Sequence, residues 1–162
     1  MKHVQTFIDF MRDEVNLNQS RIDRLEKRLE TITNFLKESD LLKDNFLETI
    51  PQGSYAHKTI IKPLPNKEFD VDILVYLKEF KGWEPKDYIN NIYYLFKNNK
   101  TYKDIVHRGT RCILLNYSGD FHIDLVPCIE VEGKCYIFNR KENEREETDG
   151  EGYENWFKDQ NS

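Results

Sequence analysis

The stretch 68–77, EFDVDILVYL, restricts the possible folds of this chain more than any other part of its sequence. Its first half alternates apolar and acidic residues, whereas positions 73–77 are all apolar. A period of two is typical of a β-strand, and a strand that is apolar on both faces must be covered on both sides. The stretch therefore predicts a central strand with Asp70 and Asp72 on one face near its start.

Helical and strand-like patterns alternate along the rest of the chain. Apolar residues recur at three- and four-residue steps, which predicts helices in 4–15, in 22–36, in the stretch that ends near Ile50 and in 85–97. Strands are predicted at 111–117 and 121–129, joined by a turn at 118–120, and at 134–138. Together these elements predict an α+β fold in which helices pack on a mixed β-sheet.

The spacing in 22–36 also fits a short dimerising coiled coil. However, the pattern lasts barely more than two heptads, so packing of this helix on the chain's own sheet is the preferred interpretation.

Composition narrows the class of protein. The chain has 162 residues, of which 38% are hydrophobic and 33% charged, as is typical of one soluble globular domain. Its net charge of −5 argues against a surface built mainly to neutralise a nucleic-acid backbone. Cys112, Cys128 and Cys135 lack C-x-x-C spacing and are expected to be reduced core residues. The charged N-terminal segment resembles no signal peptide, so we expect a cytoplasmic protein with no membrane partner.

Three aspartates are candidate metal ligands. Asp70 and Asp72 are two apart on one strand and are expected on one buried face, where carboxylates require compensation by a cation. Asp124, in FHIDLVP, has the same apolar surroundings. Three acids on neighbouring strands could hold two Mg²⁺ ions, with Mn²⁺ as a possible substitute. A D-x-D pair alone does not select a reaction, because glycosyltransferases and nucleases use similar acids and strand-end acids often pair with Lys or Arg.

A glycine-serine loop precedes these acids. Gly53 lets the backbone approach a phosphate closely, and Ser54 supplies an N–H and a hydroxyl that suit anionic oxygens. Taken with the acids, the loop favours phosphate chemistry.

The segments QGSYAHKT, EFDVDILV and FHIDLVP, in this order, resemble the nucleotidyltransferase fold of the polymerase β superfamily. Within it the chain resembles the bacterial CD-NTases, relatives of cyclic GMP-AMP synthase and oligoadenylate synthetase. The resemblance implies a polymerase β-like palm with a long N-terminal helix, which matches LNQSRIDRLEKRLETITNFL.

The resemblance also implies which residues bind the donor nucleotide. Gly53 and Ser54 would hold its triphosphate, with Gln52 as a polar neighbour. Lys58 or Lys62 would add positive charge, and Lys62 is the preferred one.

On the catalytic side, the resemblance implies that Asp70 and Asp72 ligate both metal ions. Asp124 would complete the second metal site and help to activate the acceptor hydroxyl. His122 shares a face with Asp124 and is expected to be a hydrogen-bonding neighbour of the acids rather than a ligand. Arg108 and Arg111 are expected in solvated salt bridges.

The implied organisation is an N-terminal helical segment, 1–43, packed on a palm core, 44–162. The family's C-terminal helical lobe is expected to be absent, because the chain stops near the point where that lobe would begin. A missing lobe, or regulatory and effector proteins, are therefore the expected partners, with no obligatory nucleic acid.

The implied function is metal-dependent joining of ribonucleoside triphosphates, ATP or GTP, into a cyclic di- or oligonucleotide, with release of pyrophosphate, in antiphage signalling. Two alternatives remain open. The chain could be a minimal nucleotidyltransferase that modifies a protein or RNA, or a nucleotide-binding module without turnover.

Overall fold

The computed structural model describes Gln5, Ile8, Asp9, 19–51 and 69–148, and the two longer ranges contain two helices and seven strands. The helices are α1 (Gln19–Glu38) and α2 (Pro85–Lys97). The strands are β1 (Phe46–Pro51), β2 (Phe69–Leu77), β3 (Val106–Arg108), β4 (Ile113–Tyr117), β5 (Phe121–Val131), β6 (Lys134–Asn139) and β7 (Glu144–Glu147).

The described strands form one mixed sheet with the order β1-β2-β5-β4-β3, extended by β6 on β5 and by β7 on β6. Among the described strands, β2 and β5 are the only parallel pair, and the other pairs are antiparallel. The predicted central strand is confirmed, because β2 has a partner on each side and its residues from Val71 to Leu77 are buried except for half-buried Asp72. The mixed α+β architecture is likewise confirmed.

The two faces of the sheet differ in character. One face carries alternate residues of β2, β4 and β5, such as Val71, Leu115 and Ile123, and forms the main core with both helices. The other face carries acids at one end and a smaller apolar cluster around Leu74, Tyr76 and Cys128 at the other. Because residues that are register partners share a face, the pairing of β2 with β5 determines which side chains meet there.

Both helices pack on the main core face. In α1 the buried residues recur at steps of three and four, so one stripe of the helix is apolar: Ile22, Leu25, Leu29, Ile32 and Leu36. These residues belong to the same core cluster as residues of β2 and β5, which confirms that α1 packs on the chain's own sheet. Helix α2 begins with Pro85, and the Asp87 carboxylate accepts a hydrogen bond of 2.8 Å from the Glu84 N–H, which satisfies a free donor at the helix start.

The start of α1 is attached to the turn between β4 and β5. Arg21 Nε donates to Asp120 Oδ1 at 3.0 Å, and Arg24 Nε donates to Asp120 Oδ2 at 2.6 Å. Burial alone would raise the pKa of the Asp120 carboxyl, but the hydrogen bonds from Arg24 and Arg21 outweigh it and hold this pKa below its usual range. The turn itself contains Gly119 at a φ of 82°, a conformation that glycine adopts readily.

This attachment predicts a pH-dependent contribution to stability. Asp120→Asn should lower the free energy of unfolding by about 1–2 kcal/mol at pH 7, because it weakens two charge-assisted hydrogen bonds. In the unfolded state the pKa of Asp120 is about 3.9, and in the folded state it is lower. Such a carboxyl stabilises the folded protein at pH values above about 3.9, and this stabilisation is lost as the pH falls through the folded-state pKa. Urea unfolding at pH 7 and at pH 3 should therefore show a difference between the two proteins that shrinks at pH 3. Equal differences at both pH values would contradict this account.

Three strands were not expected. The stretch ending near Ile50 is strand β1 rather than a helix, because Phe46 to Pro51 pair with β2 and Thr49 faces the core. There the Thr49 hydroxyl is 2.8 Å from that of Thr33 in α1, so a polar side chain is accommodated within the core. Strands β3 and β7 are short segments at edges of the described sheet, where pairing rather than an apolar run defines the strand.

Candidate functional site

The parallel pairing of β2 with β5 brings two of the predicted aspartates directly side by side. Asp72 is the register partner of Asp124, and Asp70 is the partner of His122. Register partners in neighbouring strands lie on one face about 5 Å apart. All four side chains therefore lie at the acidic end of the face opposite the helices.

Asp72 and Asp124 influence each other strongly. Burial raises the pKa of the Asp124 carboxyl most, and the negative charge of Asp72 and a hydrogen bond to it raise this pKa further. Burial also raises the pKa of Asp72, although its hydrogen bond with Asp124 partly opposes this. Two facing, half-buried carboxylates resist ionising together, so the pair retains a proton to a higher pH than two separate aspartates would.

Asp70 has a different environment. Its side chain is 61% exposed, so the expectation that Asp70 and Asp72 form a buried pair is wrong for Asp70. The reason is its position in the second residue of β2, where the strand is only beginning. The Nδ1 atom of His122 is 3.2 Å from Asp70 Oδ1, which is the neighbouring role expected for this histidine.

Two polar atoms of this face are shielded from water without a hydrogen-bond partner. They are Asp124 Oδ1 and Asn116 Oδ1, and they are the only such side-chain atoms in the described segments. Asn116 lies on β4 as the register partner of His122. A shielded acceptor without a partner is unfavourable, and such atoms in native proteins often meet a ligand or an ion.

The carboxylate pair fits a divalent cation. Asp72 and Asp124 offer hard oxygen ligands on adjacent strands, and a cation between them would remove both their repulsion and the unpaired state of Asp124 Oδ1. Asp70 is held at His122, and no three His, Cys, Asp or Glu side chains of the described residues already stand together as a metal-ligand group. The two facing aspartates are thus the part of the predicted ligand set that the structure brings together.

The predicted phosphate-binding residues Gln52, Gly53, Ser54 and Lys62 lie outside the described residues. What the structure shows is the end of β1 next to the acids. Pro51 pairs with Ile73, the residue that follows Asp72 in β2. The chain therefore leaves β1 toward the predicted loop from a position beside the acidic end of the face.

The remaining candidates have structural roles. Arg111 donates hydrogen bonds from Nε and Nη2 to the Glu146 carboxylate, which confirms the expected solvated salt bridge. Arg108 instead lies over the Tyr93 ring at 5.0 Å and donates to Asn90. The three cysteines are free thiols. Burial, followed by the charges of Asp124 and Asp72, raises the pKa of Cys112 to about 11, so it stays protonated at neutral pH.

Sequence reasoning missed Asn116. In the strand ILLNY it occupies a position that alternation assigns to the face away from the main core, where a polar residue needs no explanation. Only the register with His122 reveals that it belongs to the acidic end of that face.

A family model described as the Second Messenger Oligonucleotide or Dinucleotide Synthetase (SMODS) domain matches residues 1–161. A curated relative from Roseivirga ehrenbergii, named c-di-GMP synthase, is 30% identical over 155 residues, which cover 92% of this chain and 41% of the relative.

Solved structures with the same fold include the CD-NTase CdnG of Bradyrhizobium diazoefficiens in complex with GTP. It has a TM-score of 0.69 and 18% identity, over 95% of this chain and 46% of that one. The CdnE cyclic dinucleotide synthase of Elizabethkingia meningoseptica has a TM-score of 0.56 and 20% identity, over 76% of this chain and 47% of that one. The chain thus spans less than half the length of each of these three proteins. Among the described residues, no helix combines the length and apolar character that crossing a bilayer requires.

Proposed function

Because the chain belongs to the SMODS domain family, and so to the bacterial CD-NTases, we propose that it carries the catalytic site of a nucleotidyltransferase that joins ribonucleoside triphosphates into a cyclic di- or oligonucleotide. The observation that supports this most directly is the side-by-side placement of Asp72 and Asp124 on parallel strands, with a shielded and unpaired oxygen on Asp124. The relative named c-di-GMP synthase supports GTP as the first substrate to test, followed by ATP.

The proposed reaction is an in-line displacement at the α-phosphorus of the donor nucleotide. A ribose hydroxyl oxygen of the acceptor forms a bond to this phosphorus, and the bond to the α,β-bridging oxygen breaks. Pyrophosphate leaves with the bridging oxygen. In the ionised form that bound cations would favour, the Asp124 carboxylate takes the proton of the attacking hydroxyl.

Asp70, Asp72 and Asp124 are the residues that we propose as ligands of two Mg²⁺ ions, with Mn²⁺ as a substitute. When bound, such ions neutralise the triphosphate and stabilise the charge that develops on the attacking and leaving oxygens. Asp72 and Asp124 present their oxygens jointly, and His122 holds Asp70 at the rim of the site.

Gln52, Gly53, Ser54 and Lys62 are the residues that we propose for the donor triphosphate. The support is their motif and the end of β1 at Pro51, beside the acidic end of the face. A glycine-serine loop at this place can offer backbone N–H groups and a hydroxyl to phosphate oxygens.

The wider role that we propose is synthesis of a second messenger in antiphage signalling, with effector or regulatory proteins as partners. Family membership is its support. The division into a helical segment, 1–43, and a palm core, 44–162, remains part of the proposal, as does the need for a helical lobe to complete the cleft. The three free cysteines support a reducing, cytoplasmic setting.

The test is incubation of the protein with Mg²⁺ or Mn²⁺ and each α-labelled nucleoside triphosphate, followed by phosphatase treatment and separation of the products. Small phosphatase-resistant products together with pyrophosphate, absent when the metal is chelated, are the expected result. Label transferred to a protein or RNA would instead select the modifying enzyme. Metal-dependent nucleotide binding without any product would select a binding module.

A further inference from the structure

Asn116 Oδ1 is the shielded acceptor that the proposed function leaves unexplained. Among the described residues only this atom and Asp124 Oδ1 are buried side-chain acceptors without a partner, and the two lie on the same face. The side chain of Asn116 as a whole is half-buried, so it borders the open part of this face. An amide oxygen in this position can accept a hydrogen bond but brings no charge.

The strand order places Asn116 on a defined side of the acids. Across the sheet, β1 lies on one side of β2, while β5 and then β4 lie on the other. Asn116 pairs with His122, which makes it a diagonal neighbour of Asp124, and such positions are about 7–8 Å apart. Asn116 and the end of β1 at Pro51 therefore flank the acids from opposite sides.

In-line displacement also requires two groups on opposite sides of a centre, in this case the α-phosphorus of the donor nucleotide. The leaving pyrophosphate and the attacking hydroxyl must lie on opposite sides of the α-phosphorus. If the donor triphosphate is bound near the end of β1, the acceptor ribose lies on the β4 side of Asp124. A neutral acceptor atom suits a hydroxyl there better than a phosphate, because a phosphate needs positive charge or hydrogen-bond donors.

We propose that Asn116 Oδ1 accepts a hydrogen bond from the second ribose hydroxyl of the acceptor nucleotide, the hydroxyl that does not attack. This rests on the proposed function and deepens it. Asn116 thereby orients the ribose so that the other hydroxyl faces Asp124, and it selects ribonucleotides over deoxyribonucleotides as acceptors. Within the acceptor nucleotide, the second ribose hydroxyl is the hydrogen-bond donor that lies nearest to the attacking oxygen. We therefore assign the ribose, rather than the base, as the partner of Asn116.

The test uses nucleoside 5′-monophosphates, which can accept but cannot donate, with an α-labelled triphosphate as donor. The ribose, 2′-deoxy and 3′-deoxy forms of the acceptor are compared. A deoxy form that still gives a linear dinucleotide retains the attacking hydroxyl, so the hydroxyl that it lacks is the second one. In the wild-type protein, this deletion should slow the reaction about three- to tenfold, the effect of one lost hydrogen bond. Asn116→Ala and Asn116→Val should show the same slowing with the ribose acceptor and no further slowing with that deoxy acceptor.

Two further measurements isolate the acceptor side. Affinity for a donor analogue with a methylene bridge between the α- and β-phosphates should be unchanged in both variants. Their melting temperatures should be equal to that of the wild type or higher, since the substitutions remove an unpaired buried acceptor. Asn90→Ala, at a half-buried asparagine on α2 that bonds to Arg108, is the matched control and should leave the acceptor preference unchanged.

The outcomes separate this inference from the function on which it rests. If the variants remain as sensitive to the missing hydroxyl as the wild type, or if they change base preference instead, the role of Asn116 is overturned while the function stands. If the wild-type protein forms no dinucleotide from any acceptor or triphosphate, the proposed function fails and the role of Asn116 fails with it.

Discussion

Asp72→Asn is expected to reduce kcat/KM for product formation by at least about a thousandfold. The substitution keeps the shape of the side chain and removes the charge that, in the proposed mechanism, holds the metal ions opposite Asp124. Loss of the transition-state stabilisation that metal ions provide amounts to several kcal/mol, which corresponds to factors of this size. The measurement is the initial rate of phosphatase-resistant product from α-labelled GTP, determined at several concentrations of Mg²⁺.

The folded structure should tolerate the same substitution. Burial raises the pKa of both Asp72 and Asp124, because it disfavours their charged forms, so replacing one of the two acids by a neutral amide removes an unfavourable interaction from the metal-free protein. We therefore expect Asp72→Asn to unfold at the same temperature as the wild type or at a higher one. The control is Asp104→Asn, an exposed acid near the far edge of the sheet, which should leave the rate unchanged. An active Asp72→Asn protein would exclude the proposed mechanism.

The sequence was most informative where burial on two faces limited the choices. In β2, five successive apolar residues left no interpretation other than an interior strand, and the structure has this strand paired on both edges. Helix α2 was equally predictable, since its apolar steps agree with a proline start and its bounds match those expected. In these segments local preference and tertiary packing favour the same conformation.

The elements that were missed depend on partners far away in the sequence. The stretch that ends near Ile50 was predicted to be helical, and only pairing with β2 shows that this segment, β1, is extended. The buried Thr49 is acceptable because of Thr33 in α1, a hydrogen bond that no local pattern reveals. Short strands such as β3 lack enough residues for a period to be recognised.

The same distinction applies to the site. The sequence predicted three acids, but it could not show that Asp72 and Asp124 are register partners while Asp70 stands at the exposed start of its strand beside His122. Register is a property of two strands, and a shift by one residue would move these side chains to opposite faces. For the same reason Asn116 could be recognised as part of this face only once β4 was aligned with β5.

Phe96→Ala is expected to lower the free energy of unfolding by about 3–5 kcal/mol, the largest loss of stability that we predict. Phe96 is fully buried near the end of α2. Its ring centroid is 5.0 Å from that of Phe35 in α1 and 4.9 Å from that of Tyr102 before β3. Truncation would leave a cavity among three rings that join both helices to the sheet, and the surrounding elements cannot close it fully. Urea unfolding followed by tryptophan fluorescence measures the loss.

Tyr94→Ala provides the matched comparison, because Tyr94 lies two residues earlier on the same helix with 49% of its surface exposed. It should cost no more than about 0.5 kcal/mol, as surface substitutions usually do. The contrast tests whether α1 and α2 are parts of one core. If Phe96→Ala were as mild as Tyr94→Ala, the helices would contribute little to that core. Because the sheet that aligns Asp72 with Asp124 is covered by these helices on its main core face, a severe Phe96→Ala defect should also lower the activity in proportion to the fraction of unfolded protein.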